Sequence, residues 1–141
     1  STNHARTTVA NWLIDKGFEL ISSVHPSVQL GRDVNIGMDS VFMANAVVNS
    51  ATRIGNNVIL NTKVSIDHDC VIEDGVHIGP GATLCGSVRI DCRSLVGAGA
   101  TIAPNVSIGK DVTVGAGATV ITDVPDGITV VGTPAKILRS H

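Results

Sequence analysis

The 141-residue chain is 43% apolar yet only 2% aromatic and has no tyrosine, so its core must be narrow and filled by aliphatic side chains. A formal net charge of −2 offers no basic field for a nucleic acid, and without aromatics bases have no platform on which to stack. No apolar run approaches the length of a membrane span, and no signal-peptide pattern opens the chain. Cys70, Cys85 and Cys92 are odd in number and lack metal-ligand spacing, which reads as reduced thiols in a cytoplasmic protein without a metal.

The first predicted element is a short helix over Asn3–Lys16, with Val9, Trp12 and Leu13 sharing one face and Gly17 as its C-cap. From Val24 onward a large apolar residue recurs every six positions: Leu30, Ile36, Phe42, Val48, Ile54, Leu60, and so on to Val120. Four places after each comes a small or β-branched residue, as at Val28, Ala46, Val64, Ala82 and Ala118. A period of six fits neither a helix nor a hairpin meander; it predicts an all-β parallel β-helix of hexapeptide repeats. A longer period lies over it. Ile78-Gly79-Pro80-Gly81-Ala82-Thr83 recurs at Val96–Thr101 and again at Val114–Thr119, each copy 18 residues on.

Three hexads therefore make one coil of a three-sided prism, and residues 18 apart stack about 4.8 Å from each other. The Gly-x-Gly pieces are corners of that coil, since a dinucleotide fingerprint would need a following helix. Three segments result: residues 1–23 as helix and linker, 24–125 as the prism, and 126–141 as a C-terminal cap. Within the cap, after a break of phase at Pro125, Val131–Lys136 is predicted to form a closing strand and a Pro-started turn of helix.

The hexads, the stretch Asp67-His68-Asp69-Cys70-Val71-Ile72, the following Val76-His77-Ile78 and the terminal Val131-Gly132-Thr133-Pro134-Ala135-Lys136 together resemble one family. It is the left-handed β-helix sugar acetyltransferases, in the branch that acetylates nucleotide-linked 4-amino-4,6-dideoxy sugars or sialic acids with acetyl-CoA. The resemblance implies left-handed coils, an exception to right-handed crossovers. It also implies a homotrimer with active sites between adjacent prisms. Members of the family carry a small α/β domain ahead of the prism that holds the nucleotide-sugar. Residues 1–23 are expected to be the tail of such a domain in a truncated or processed chain.

Stacking picks out the candidate site. His68 lies in the column Arg32, Ser50, His68, Gly86, Pro104, Thr122, so a residue without a side chain sits one coil above the imidazole. That leaves a notch where a thioester could approach, with a backbone N–H available; alternatively His68 is a solvated corner residue and Gly86 a tight-turn glycine. Histidine is the natural base for taking a proton from a sugar ammonium near neutral pH. Either Asp67 or Asp69 could fix its tautomer, though only one can reach the ring; the resemblance selects Asp69.

His77 lies half a coil away and would face His68 only across a subunit boundary, where the resemblance implies contact with the thioester and acceptor. The resemblance also places Asn61 in the acceptor pocket. The glycine column above Asn61 would let a pantetheine arm lie close to the backbone at Gly97, Ala98, Gly115 and Ala116, and Lys136 and Arg139 could meet phosphates. Corner geometry alone accounts equally well for those glycines. His25 opens the first coil as a structural or sugar-side rim residue.

Two other functions are weaker. A β-helix zinc carbonic anhydrase needs three converging histidines, whereas the central coils hold only His68 and His77. An ice-binding prism has only the short column Thr83, Thr101, Thr119 behind it. The expected activity is N-acetylation of an amino sugar of the perosamine or bacillosamine type, with sialic acid or other sugar O-acetylation as the alternative.

Overall fold

The computed structural model describes residues 2–140; Ser1 and His141, assigned above to the N-terminal segment and the C-terminal cap, lie outside the described residues. After helix α1 (Thr2–Asp15), two-residue strands recur every six residues from β1 (Ser23–Val24) to β17 (Thr119–Val120). They stack into three parallel sheets in which each strand pairs with those 18 residues before and after it. Face one holds β1, β4 (Val41–Phe42), β7 (Ile59–Leu60), β10 (His77–Ile78), β13 (Leu95–Val96) and β16 (Thr113–Val114). Face two contains β8 (Ser65–Ile66) and β11 (Thr83–Leu84), and face three contains β9 (Val71–Ile72) and β12 (Arg89–Ile90). The molecule is a left-handed parallel β-helix, as the resemblance implies.

The second residue of each strand points inward. Phe42, Val48, Leu60, Ile66, Ile78, Leu84, Ile90, Ile102 and Val114 are all sealed from solvent, each contributing about 1.5–3 kcal/mol by burial. The first coil is the exception: Val24 is 41% and Leu30 45% exposed, because no coil lies beneath them.

Between strands the chain turns through a left-handed residue, one every six positions from 33 to 117. Eleven of these are not glycine, among them Asp33, Ala51, Asn57, Lys63, Asp69 and Arg93, while Gly75, Gly81, Gly99 and Gly117 take the remaining places. The N–H of such a residue donates one coil down, as Asp69 does to Ser50 and Ser87 to His68. Three corners are braced internally by a buried hydroxyl. Ser94 Oγ, for instance, donates to the Gly109 carbonyl at 2.6 Å and accepts from Val112 N–H at 2.9 Å. Ser40 and Thr52 do the same.

Helix α1 ends in a Schellman cap: Gly17 adopts φ +87°, with Phe18 N–H bonded to the Leu13 carbonyl and Gly17 N–H to that of Ile14. Its packing face differs from the apolar one read from the sequence. Val9 and Trp12 are each 57% exposed, while Asn3 and Ala10 are buried. The reason is the target. The helix lies on the corner column of residues 39, 57, 75, 93 and 111, where backbone carbonyls face outward. Arg6 donates to the carbonyls of Asn57 at 3.0 Å and Asp39 at 3.1 Å, and Asn3 to that of Arg93 at 3.5 Å.

The C-terminal end also differs from expectation. Strand β18 (Ile128–Val131) pairs with β16 at a spacing of 16 rather than 18, and the shortening is complete by Val124, which bridges to Ile108. No helical turn follows. Gly132 turns at φ +91° and β19 (Lys136–Ser140) runs back antiparallel along β18, closing the edge of face one.

Candidate active site

His68 stands at the corner that joins faces two and three, exposed along most of its side chain. Its Nδ1 meets Asp69 Oδ2 at 2.8 Å. Asp69 reaches back because it is itself the left-handed residue of the corner, at φ 57°, so the two neighbours do not splay apart as they would on an extended strand. Asp67 is occupied elsewhere: its Oδ1 accepts from His68 N–H at 2.8 Å and Asn49 Nδ2 at 3.2 Å. Those two donors, the backbone one first, hold the Asp67 carboxyl below the usual carboxylate range. A carboxylate only accepts hydrogen bonds, so Asp69 places the ring proton on Nδ1 and leaves the lone pair on Nε2.

Above the ring lies Gly86. A Cβ built there would fall 2.7 Å from His68 Nε2 and 2.8 Å from Cε1. The backbone does not demand glycine at this place, since the left-handed residue of that corner is Ser87, at φ 58°. Gly86 is thus accounted for by the imidazole and not by turn geometry. Among the described residues its N–H has no hydrogen-bond partner, unlike that of His68 in the coil below.

His77 lies on face one, opposite the His68 corner, so one chain does not bring the two histidines together. Its ring is half-buried, and burial first, the Arg6 charge second, push its pKa below the ordinary 6.5. Nε2 is sealed from solvent with no hydrogen-bond partner. Nothing in the side-chain pattern marks Arg6, whose partners are the backbone carbonyls of Asp39 and Asn57.

Asn61 folds over its own corner, its Oδ1 accepting from Thr62 N–H at 2.7 Å. In the coils above, the equivalent position is glycine, and the N–H groups of Ala98 and Ala116 stay free among the described residues. A Cβ at Gly97 would fall 2.6 Å from Ala116 N, and one at Gly115 would fall 2.8 Å from Val131 Cγ1. Close stacking therefore accounts for these glycines, while Ala98 and Ala116 present exposed donors along the axis. His25 Nδ1 is engaged by Ser27, whose backbone N–H donates to it at 3.1 Å. Lys136 and Arg139 are exposed on β19, away from the His68 corner. Cys70 points inward, and burial pushes its thiol up to about 11, removing it as a nucleophile. Among the described residues, no group of three or more His, Cys, Asp or Glu is placed to hold a metal ion.

Comparison with known proteins agrees with this fold. PerB from Caulobacter crescentus, solved in complex with CoA and GDP-perosamine, is 37% identical and superposes with a TM-score of 0.96 over 97% of this chain and 66% of its own. The acetyltransferase domain of PglB from Neisseria gonorrhoeae, in complex with acetyl coenzyme A, is 41% identical with a TM-score of 0.95, over 96% of this chain and 66% of its own. An acyl-[acyl-carrier-protein]–UDP-N-acetylglucosamine O-acyltransferase from Gloeothece citriformis is 35% identical over 63% of this chain and 32% of its own length. The chain thus spans about two thirds of the first two and one third of the last. The family described as bacterial transferase hexapeptide (six repeats) matches at residues 51–86 and 87–122, half of the chain. The chain belongs to the bacterial transferase hexapeptide family.

Proposed function

We propose that this chain is the catalytic prism of a cytoplasmic acetyl-CoA-dependent N-acetyltransferase acting on the amine of a nucleotide-linked 4-amino-4,6-dideoxy sugar. The acceptor is of the perosamine or bacillosamine type. The carrying observation is the His68–Asp69 pair set against Gly86. The CoA and GDP-perosamine bound to PerB and the acetyl coenzyme A bound to PglB suggest the substrate classes. Acetyl-CoA, when bound, supplies the thioester that is cleaved.

The residues divide the work. His68 Nε2 takes a proton from the acceptor ammonium, freeing its lone pair to form the new C–N bond. Asp69 holds Nδ1–H and steadies the imidazolium that results. The unpartnered Gly86 N–H donates to oxygen as negative charge gathers there. When the C–S bond breaks, the imidazolium returns its proton to the departing thiolate, and the nitrogen of the new amide gives up its second proton to the freed Nε2 and from there to solvent, leaving a neutral amide. The exposed amides of Ala98 and Ala116 would carry the pantetheine arm, with Lys136 toward the phosphates. His77 would reach the same cleft from the neighbouring prism of a homotrimer, and Asn61 and His25 would lie on the acceptor side.

The test is release of free CoA thiol from acetyl-CoA with a panel of nucleotide-linked amino sugars, with His68→Ala as control. Turnover that disappears in the control supports the reading and names the acceptor. Binding of acetyl-CoA without turnover of any amine, but with turnover of a hydroxyl sugar, would establish O-acetylation instead, an acyl transfer to oxygen like that of the Gloeothece O-acyltransferase. Absence of acetyl-CoA binding would sink both.

A further inference from the structure

On the reading proposed above, we infer that Cys85 and Pro104 are positioning residues for the oxyanion donor. They keep the Gly86 N–H open by denying it the side-chain cap that the prism supplies at other corners.

The N–H two residues beyond a strand lies at a corner, and two places can offer it a short side-chain acceptor. One is the residue just before it. Asn61 Oδ1 accepts from Thr62 N–H at 2.7 Å, Asp67 Oδ1 from His68 N–H at 2.8 Å and Asp91 Oδ1 from Cys92 N–H at 2.8 Å. The other is the residue stacked on it in the coil above. Asn56 Oδ1 accepts from Met38 N–H, Asp74 Oδ1 from Asn56 N–H and, in the shortened last coil, Asp126 Oδ1 from Lys110 N–H, each at 2.8 Å. Among the described residues, every Asp or Asn at these two places caps in this way except Asn49, whose amide is spent on Asp67 at 3.2 Å.

At Gly86 neither place holds such an acceptor. Before it stands Cys85, whose thiol accepts only weakly. The Cys85 backbone is committed elsewhere, its N–H to the Ile102 carbonyl at 3.0 Å and its carbonyl to Cys70 Sγ at 3.2 Å. Above it stands Pro104, whose ring has nothing to accept with. One coil lower the place of Cys85 is taken by Asp67, and there the N–H of His68 is capped. A carboxylate thus sits beneath, where it fixes the corner that carries the base, and none sits above, where negative charge must gather. An Asp at position 85 would use up the donor and set a like charge against the oxyanion. The same rule leaves Ala98 N–H open, between Gly97 before it and Ala116 above.

The experiment pairs amide exchange with kinetics in the whole chain. Cys85→Asn and Pro104→Asn each bring a neutral cap, one from before and one from above, while Cys85→Ala removes the thiol without adding an acceptor. In the wild type the Gly86 amide should exchange with solvent much faster than that of His68. Both Asn variants should slow it and leave the melting temperature close to wild type. Their kcat should fall about 10²–10³-fold, the range for loss of one oxyanion donor, whereas Cys85→Ala should stay near wild type. A Gly86 amide already protected in the wild type, or left fast by both Asn variants, would overturn the inference. So would a capped Gly86 with undiminished kcat, or an equal loss in Cys85→Ala. Absence of acetyl transfer in the unaltered chain would strike the proposed reaction instead, and the exchange rates would still decide whether the corner is open.

Discussion

Gly86 and His68 are matched across adjacent coils: the space a methyl group would take on residue 86 is the space the imidazole occupies, 2.7 Å from Nε2. Gly86→Ala should therefore displace the ring without straining the backbone, which is not left-handed there. The expected result is a melting temperature within a few degrees of wild type and a kcat at least about 10²-fold lower, as misplacement of a reacting group by about 1 Å can produce. Parallel melting and steady-state kinetics check it; undiminished kcat would separate the glycine from the site.

Asp69→Asn tests the tautomer at His68. Asparagine tolerates the left-handed corner, so the fold should persist. Its amide can donate to Nδ1 and drive the proton to Nε2, the wrong nitrogen for a base. A loss of about 10²–10⁴-fold in kcat/KM is expected, close to that of His68→Ala. Asp67→Asn, one residue away but off the ring, should cost far less.

The two histidines offer a test of shared sites. If His68 of one prism works with His77 of the next, inactive His68→Ala and His77→Ala chains should complement when unfolded and refolded together. For a ring of heterologous contacts, random mixing restores about one site in four. No recovery, in trimers shown to be mixed, would place each histidine's role within its own subunit.

His77 also links stability to acidity. Its pKa in the fold is depressed below the unfolded 6.5, chiefly by burial. In the window just below 6.5 the unfolded chain binds the extra proton and the folded chain does not. The stability this group contributes is thus complete above 6.5 and is lost as pH falls through the folded value. Urea midpoints at fixed protein concentration should fall from pH 7.5 to 5.5 in the wild type, and less steeply in His77→Gln.

The repeating corner predicts a stabilising change. Ala51 adopts φ 60° with no polar side chain to ease a conformation that costs an L-residue about 1–2 kcal/mol. Ala51→Gly should raise stability by about 1 kcal/mol in urea unfolding, the reverse of what glycine does in a strand. The same substitution at Ala82, which is buried and not left-handed, should destabilise.

The prism was legible because its rule is one-dimensional. Six-residue apolar spacing fixes which side chains point inward, and the 18-residue echo fixes what stacks on what, so Gly86 over His68 followed from counting. What escaped depended on backbone the side-chain pattern does not encode. Asp69 reaches the ring by standing at a left-handed corner, and the docking face of α1 was misread because its target is a row of carbonyls rather than an apolar groove. Arg6 was invisible for the same cause. At the C-terminus Pro134 suggested a helix start, yet β18 still offered an unpaired edge, and the chain satisfied it by turning back at Gly132.

The contacts that define the His68 corner run only from Asn49 in the coil below to Ser87 in the coil above. The chemistry is therefore local along the axis, while the rod it sits on is built from interchangeable floors. Adding or removing a whole 18-residue floor elsewhere would change the length of the rod without touching the catalytic corner. A single inserted residue between Asn49 and Ser87 would throw every later side chain out of phase. Such an architecture lets length drift in evolution by whole coils, yet holds the reading frame of the central two rigid.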